Sequence, residues 1–278
     1  MRSDLRHFLD ALTCNALPAV ERPVIAGRVA PALVRAARDA DLVPMVSHSL
    51  DTPAAIKAID PDRAFLSQLF HPALHPDAGI GDTAVVVLMR DGRPVASGAL
   101  RLRWIEGDLR DAIETKALFY ADPVQAPEAE LIVCRAAKAR DIRACHVIVA
   151  GALWVDRTAT TADSRVIKLL VRFLNLLATA NYHWSWCISF SLPPLMRQAF
   201  PIYGADGVEH GVHMDIGNRR VETVLVHASR ARFLDNLLSP AYLDLGNDLD
   251  GLTDHDLVRA TRAAAEMRLR RLHLDAMH

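Results

Sequence analysis

Along residues 146–208 the spacing of apolar positions changes period without a break, and it predicts strand, loop, helix, strand and helix in that order. Residues 146–155 (HVIVAGALWV) form a short apolar run rich in β-branched side chains, which between polar neighbours reads as a buried strand. Residues 156–163 (DRTATTAD) read as a polar loop. From Ser164 the polar residues Arg165, Lys168, Arg172, Asn175 and Thr179 recur three or four apart. A helix would turn that narrow stripe to water and bury Val166, Ile167, Leu169, Leu170, Phe173, Leu174 and Leu177. Residues 184–190 (WSWCISF) return as a strand, and Pro193 and Pro194 fit the first turn of a short helix reaching about residue 200.

The same reading extends to both sides. Residues 29–40 are alanine-rich and helical, with Pro31 in the first turn, and 42–47 form a strand in which Pro44 is tolerated best at an edge. After Asp51 and Thr52, which suit a cap, residues 54–70 form two helical pieces divided by Pro61. Residues 83–90 and 94–104 flank Asp91-Gly92-Arg93 and predict a hairpin. Its second strand alternates, with Leu100, Leu102 and Trp104 on one face and Arg101 and Arg103 on the other. The signal over 105–143 is mixed, with a helix expected at 128–139. A further hairpin joins 209–216 to 220–228 around Gly217-Asn218, and a last helix, capped by Thr253, is expected over 254–274. Its Arg259, Arg262, Arg270 and Arg271 read as a solvated face. With no repeat or linker in view, the economical organisation is one α/β domain: a helical region at 1–80, a mixed central sheet with its helices at 83–229, and a helical extension at 230–278.

Composition narrows the classes. A chain of 278 residues that is 51% hydrophobic can bury a large core, which excludes disorder and fibres. A formal net charge of -1 supplies no overall field for nucleic acid or an anionic membrane. The expected helices include no apolar span of the roughly 20 residues a bilayer needs. Cys14, Cys134, Cys145 and Cys187 form no C-x-x-C pair or disulfide framework, so reduced thiols in a cytoplasmic protein are expected. No metal is expected: prolines at 72 and 76 break a helical His71/His75 pair, and His210 and His213, three apart on a strand, would point to opposite faces. Cys187, alternating with Trp186 and Ile188, reads as inert packing.

The segment closes with Ile202-Tyr203-Gly204-Ala205-Asp206-Gly207-Val208. That heptad, following the strand-loop-helix-strand-helix order, resembles the C-terminal half of the GNAT acyltransferase superfamily. Members carry an acyl-CoA site between two splayed parallel strands and often end this half with aromatic-Tyr-x-x-x-Gly-aromatic, matched here at Ile202, Tyr203, Gly207 and Val208. The loop at 157–163 departs from the family's Arg/Gln-x-x-Gly-x-Gly/Ala pattern in having no glycine. The resemblance implies a GNAT-like mixed sheet flanked by helices, with the acyl-CoA half inside 83–229. It implies that the backbone of Leu153 and Val155 holds the pantetheine arm, and that the sheet opens after Trp154. Arg157, Thr158, Thr160, Thr161, Ser164 and Arg165 would then lie at the diphosphate, where backbone N–H groups and a helix N-terminus favour an anion. Asp163 at that place repels a diphosphate and equally suits an N-cap.

Tyr203 is the expected proton donor to the departing thiolate, in keeping with its place in the heptad. For the base, His146 is the side-chain type poised near neutrality, with Glu130 and Asp156 as alternatives. The expected activity is transfer of an acyl group from acyl-CoA, or from an acyl-carrier-protein thioester, to a small-molecule amine. A homodimer remains open. The rival is a non-catalytic binding or regulatory protein on the same fold; a third reading is an interaction protein working through its arginine-bearing terminal helix.

Overall fold

The computed structural model describes residues 4–61, 66–127, 130–156, 165–193, 203–216 and 219–239. The helices expected at 193–200 and 254–274 lie outside the described residues, apart from Pro193. The helices that frame the sheet are α1 (Asp4–Asp10), α2 (Ala30–Asp39), α3 (Asp51–Ile59), α4 (Leu109–Glu114), α5 (Lys138–Asp141), α6 (Arg165–Asn181) and α7 (Arg230–Leu238). The strands are β1 (Val43–Ser47), β2 (Thr83–Arg90), β3 (Arg93–Asp108), β4 (Ile132–Cys134), β5 (Arg143–Val155), β6 (Trp186–Ser191), β7 (Gly207–Ile216) and β8 (Arg219–Ser229). They make one mixed sheet in the order β1-β2-β3-β5-β6-β8-β7-β4. Pro44 falls in β1, at an edge, where a missing N–H is tolerated.

Two cores sit on the two faces of this sheet. On one, α6 packs against β2 and β3 and is itself flanked by α2 and α7. On the other, Phe70, Leu109, Ile113, Phe119 and Tyr120 cover Val85, Ala99, Val147, Val149, Ile188 and Leu225. No helix among the described residues is long and apolar enough to cross a membrane.

Three expectations are corrected. Past Arg165, the polar stripe of α6 does not face water: Lys168 is 1% and Arg172 3% exposed, and Asn175 and Thr179 are buried as well. Helical spacing assigns residues to a common face but does not say what covers it, and here neighbouring elements enclose the whole circumference. Lys168, Arg172 and Asn175 are all engaged in polar interactions, as burial of such groups requires. The helix expected at 128–139 is instead the short strand β4 followed by α5. Ile132, Val133 and Cys134 pair with Met214, His213 and Val212 of β7, and that long-range pairing overrides local helix propensity. Finally, His210 and His213 share a face. A bulge between Glu209 and Val212, with Gly211 at φ 99°, inserts a residue and reverses the alternation; Glu222 is the cross-strand partner of His213 and lies 3.9 Å from His210.

The alternation in β3 holds, but its exposure is inverted at the strand's end. Arg101 is buried against Asp82 and donates to the Leu69 carbonyl at 3.2 Å, while Trp104 stands 57% exposed.

Candidate active site

Among the described residues β5 and β6 are the parallel neighbours of the sheet, and their ladder is short: Val147, Ile148 and Val149 pair with Trp186, Cys187 and Ile188. Past that point each strand stays bound on its far side. β5 continues along β3 as far as Val155 opposite Ala96, and β6 continues along β8 as far as Ser191 opposite Val224. The facing edges therefore part after Val149 and Ile188, not after Trp154 as the sequence suggested. β8 holds β6 on one side, and a bulge bends β5 on the other.

That bulge lies where Ala99 pairs with Gly151 but Ser97 pairs with Trp154, so β5 carries one residue more than β3. Ala152 occupies it at φ 48°, in the left-handed region that side chains avoid. The bulge turns Leu153 and Val155 toward the α6 core and sends Trp154 to the other face, where it packs on Ile56 and its Nε1 donates to Asp60 at 3.0 Å. Beyond Val149 the freed edge of β5 presents backbone N–H and C=O groups with no ladder partner on β6 among the described residues.

Side chains pack closely on both faces of the sheet around β5. On the α6 side, a Cβ added at Gly98 would lie 2.7 Å from Leu174 and 3.4 Å from Leu153. On the other side the Phe70 ring covers Gly151, and Phe119 packs tilted against Phe190 of β6, with ring centroids 5.5 Å apart.

Tyr203 joins Leu153 and Val155 on the α6 side, packed against the same core. Burial pushes its phenol up to about 12. The turn after it is pinned: Asn236 donates to the Gly204 carbonyl at 3.0 Å, and the Asp206 carboxylate accepts from the Ser229 N–H at 2.7 Å. Arg165 is exposed at the first residue of α6. Arg157, Thr158, Thr160, Thr161 and Ser164 lie outside the described residues.

The structure does not bring His146 to this place. It sits on the paired part of β5, exposed, edge-on to Trp104 at 4.9 Å, and seven residues before Leu153, about 20 Å along a strand. Asp156 follows the last residue of β5, its N–H donating to the Val95 carbonyl at 2.8 Å. Cys187 is buried with its thiol pushed up to about 12 by desolvation, in keeping with inert packing.

Glu130 is different. It is 9% exposed, and its carboxylate accepts from the Tyr120 hydroxyl at 2.6 Å and from the Gln68 amide at 2.7 Å. Sequence reasoning reached Glu130 as an alternative base but not its two partners. The available signal was an acid immediately before the apolar run of residues 131–134, a place where a carboxylate is rarely buried unless it has a role.

Among the described residues no group of three His, Cys, Asp or Glu side chains could hold a metal ion. A hollow of about 370 Å³, lined by Met45, Ile56, Ile59, Val87, Met89 and Pro94, lies under α3 and outside the opening.

No protein-family profile matches the chain, and no curated protein is similar to it in sequence. Among solved structures it is similar in fold to NAA60 of Arabidopsis thaliana in complex with acetyl-CoA, at 12% identity over 68% of this chain and 98% of that one, with a TM-score of 0.39. It is also similar to an acetyltransferase of the GNAT family from Streptococcus pneumoniae, at 9% identity over 68% and 98%, with a TM-score of 0.38. A third likeness is to FeeM, an N-acyl amino acid synthase from uncultured soil microbes, at 10% identity over 72% and 96%, with a TM-score of 0.42.

Proposed function

We propose that the chain is a GNAT-like acyltransferase that takes an acyl group from a pantetheine thioester, carried by CoA or by a carrier protein, and gives it to an amine. The observation that carries this reading is the parting of β5 from β6 after Val149 and Ile188. A pantetheine arm is a chain of amides, and an unpaired strand edge offers it the alternating donors and acceptors of a missing strand. Backbone N–H groups fixed near the thioester carbonyl also stabilise the oxyanion that forms when an amine attacks, without reorganising at that moment.

Tyr203 lies on the α6 side, with the residues that would line the donor. With its proton affinity raised to about 12, the phenol is a weaker acid than a thiol of about 8.5. It therefore keeps its proton and serves the leaving sulfur as a hydrogen-bond donor. At the α6 N-terminus, Arg165 and the helix dipole favour the diphosphate of CoA. The glycine-free loop at 157–163 favours, as the second reading, a protein on the same fold that binds the donor without turning it over.

The test is thermal unfolding with acetyl-CoA, dodecanoyl-CoA and the corresponding S-acylpantetheines, because a ligand bound to the folded state alone raises stability with concentration. A rise with the CoA and pantetheine thioesters supports the reading. No shift with any of the four removes it. A rise without amine-dependent thiol release selects the non-catalytic alternative.

A further inference from the structure

Tyr203 leaves the part of the site that receives the amine unassigned, and the Glu130 carboxylate is buried between two hydrogen-bond donors. Its two donors, Tyr120 and Gln68, are both neutral. Among the described residues no Lys, Arg or His side chain pairs with it. A buried carboxylate without a cation is costly, and two neutral hydrogen bonds offset part of that cost. The arrangement suits a cation that arrives with the substrate.

Its position fits the same role. Gln68 stands two residues before Phe70, whose ring covers Gly151 of β5. Tyr120 follows Phe119, whose ring packs against Phe190 of β6. Gly151 and Phe190 both lie past the last paired residues, one on each arm of the opening. Glu130 itself comes two residues before Ile132, which pairs with Met214, and Met214 pairs with Val221 near the start of β8. The start of β8 runs beside the end of β6, at Ser191 opposite Val224. Three segments distant in sequence thus meet at the open end of the sheet, on the face away from α6 and Tyr203.

We propose that Glu130, held by Tyr120 and Gln68, binds the protonated primary amine of the acceptor and takes its proton, the amine entering from the face opposite the donor. This rests on the acyltransferase reading above. The ammonium passes one proton to the Glu130 carboxylate, and the freed lone pair forms the C–N bond at the thioester carbonyl. The C–S bond breaks with its electron pair on sulfur. The nitrogen, made acidic by the attack, supplies the second proton that neutralises the thiolate under the Tyr203 hydroxyl. Glu130 then returns its proton to water.

The experiment measures thiol release from acetyl-CoA and S-dodecanoylpantetheine with a panel of primary amines, n-butylamine, spermidine and the common amino acids, for the native chain, Glu130→Gln and Glu130→Asp. Glu130→Gln is expected to lose about 100-fold or more of the amine-dependent rate, the scale of a lost general base. Donor protection in thermal unfolding is expected to stay unchanged, and Glu130→Asp to recover part of the rate. A Glu130→Gln protein that melts as the native chain does and keeps its amine-dependent rate within threefold overturns the proposal while the acyltransferase reading stands. A native chain that binds neither donor, or releases no thiol with any amine, overturns both.

Discussion

The Phe70 ring lies flat enough on Gly151 that a Cβ added there would stand 2.5 Å from its Cε2. The contact bridges the turn after α3 and the first unpaired stretch of β5. Phe70 is 2% exposed and packed in the core on this face of the sheet. Gly151→Ala is therefore expected to cost about 1–3 kcal/mol, the range for overpacking a filled core. Thermal unfolding reads the loss, and Gly151→Ala combined with Phe70→Leu should recover part of it. Recovery that does not appear places the strain elsewhere than in this contact.

His75 gives the protein an acid-sensitive element. It is 4% exposed, and its Nε2 donates to the Phe119 carbonyl at 2.8 Å. Burial first, and the nearby Arg101 guanidinium second, lower its titration to about 4. The folded protein therefore keeps the ring neutral while the unfolded chain protonates it below about 6.5, so the unfolded state binds more protons between those values. Stability contributed by the neutral ring is present above about pH 6.5 and falls as pH drops toward 4, by roughly 3 kcal/mol across the window. Denaturant unfolding from pH 7 to 4 should show that slope, and His75→Gln should flatten it. An unchanged slope in His75→Gln assigns the acid sensitivity to other groups.

How much of this was legible in the sequence depended on the range of the interaction that decides each feature. The hairpin of β2 and β3 and the hairpin of β7 and β8 were readable because alternation and a short turn are local. The strand β4 was not: three residues carry no period, and the partner that makes them a strand lies about 80 residues later, at Val212–Met214 in the chain. The stripe of α6 was placed on the right face and given the wrong environment. The opening of the sheet was placed near Trp154 by motif, but its position is set by β8 holding β6 from its far edge and by the bulge at Ala152, neither of which leaves a local signature. Tyr203, Leu153 and Val155 were read and do share one core face, whereas Gln68, Tyr120 and Glu130 meet through tertiary structure alone.

Tyr203→Phe separates hydrogen bonding at sulfur from donor binding. The phenol ring packs against the α6 core and is kept by the substitution, so donor protection in thermal unfolding is expected to change little. Turnover is expected to fall about tenfold or more, because a hydrogen bond to the developing thiolate is made chiefly in the transition state. Since burial holds the phenol near 12, the native rate should show no loss from tyrosine ionisation up to about pH 10. Equal turnover in the two proteins removes Tyr203 from the mechanism and leaves it a packing role.

The bulge at Ala152 offers a test of the opening itself that leaves every proposed chemical group in place. At φ 48° an alanine is held where L side chains are disfavoured by roughly 1–2 kcal/mol. Ala152→Gly removes that strain but adds freedom to the unfolded chain, about 0.5–1 kcal/mol in the other direction, so stability is expected to change by less than about 1 kcal/mol. Ala152→Val places a β-branched side chain in the same conformation, a genuine outlier, and pushes the strand back toward regular pairing with β3. Straightening β5 would carry its free edge toward β6 and narrow the gap. Ala152→Gly should therefore keep the thermal protection given by acetyl-CoA, and Ala152→Val should lose most of it even at temperatures where the protein remains folded. If both variants keep the protection, the parting of the strands does not depend on the bulge, and the hold of β8 on the far edge of β6 is enough to keep the site open.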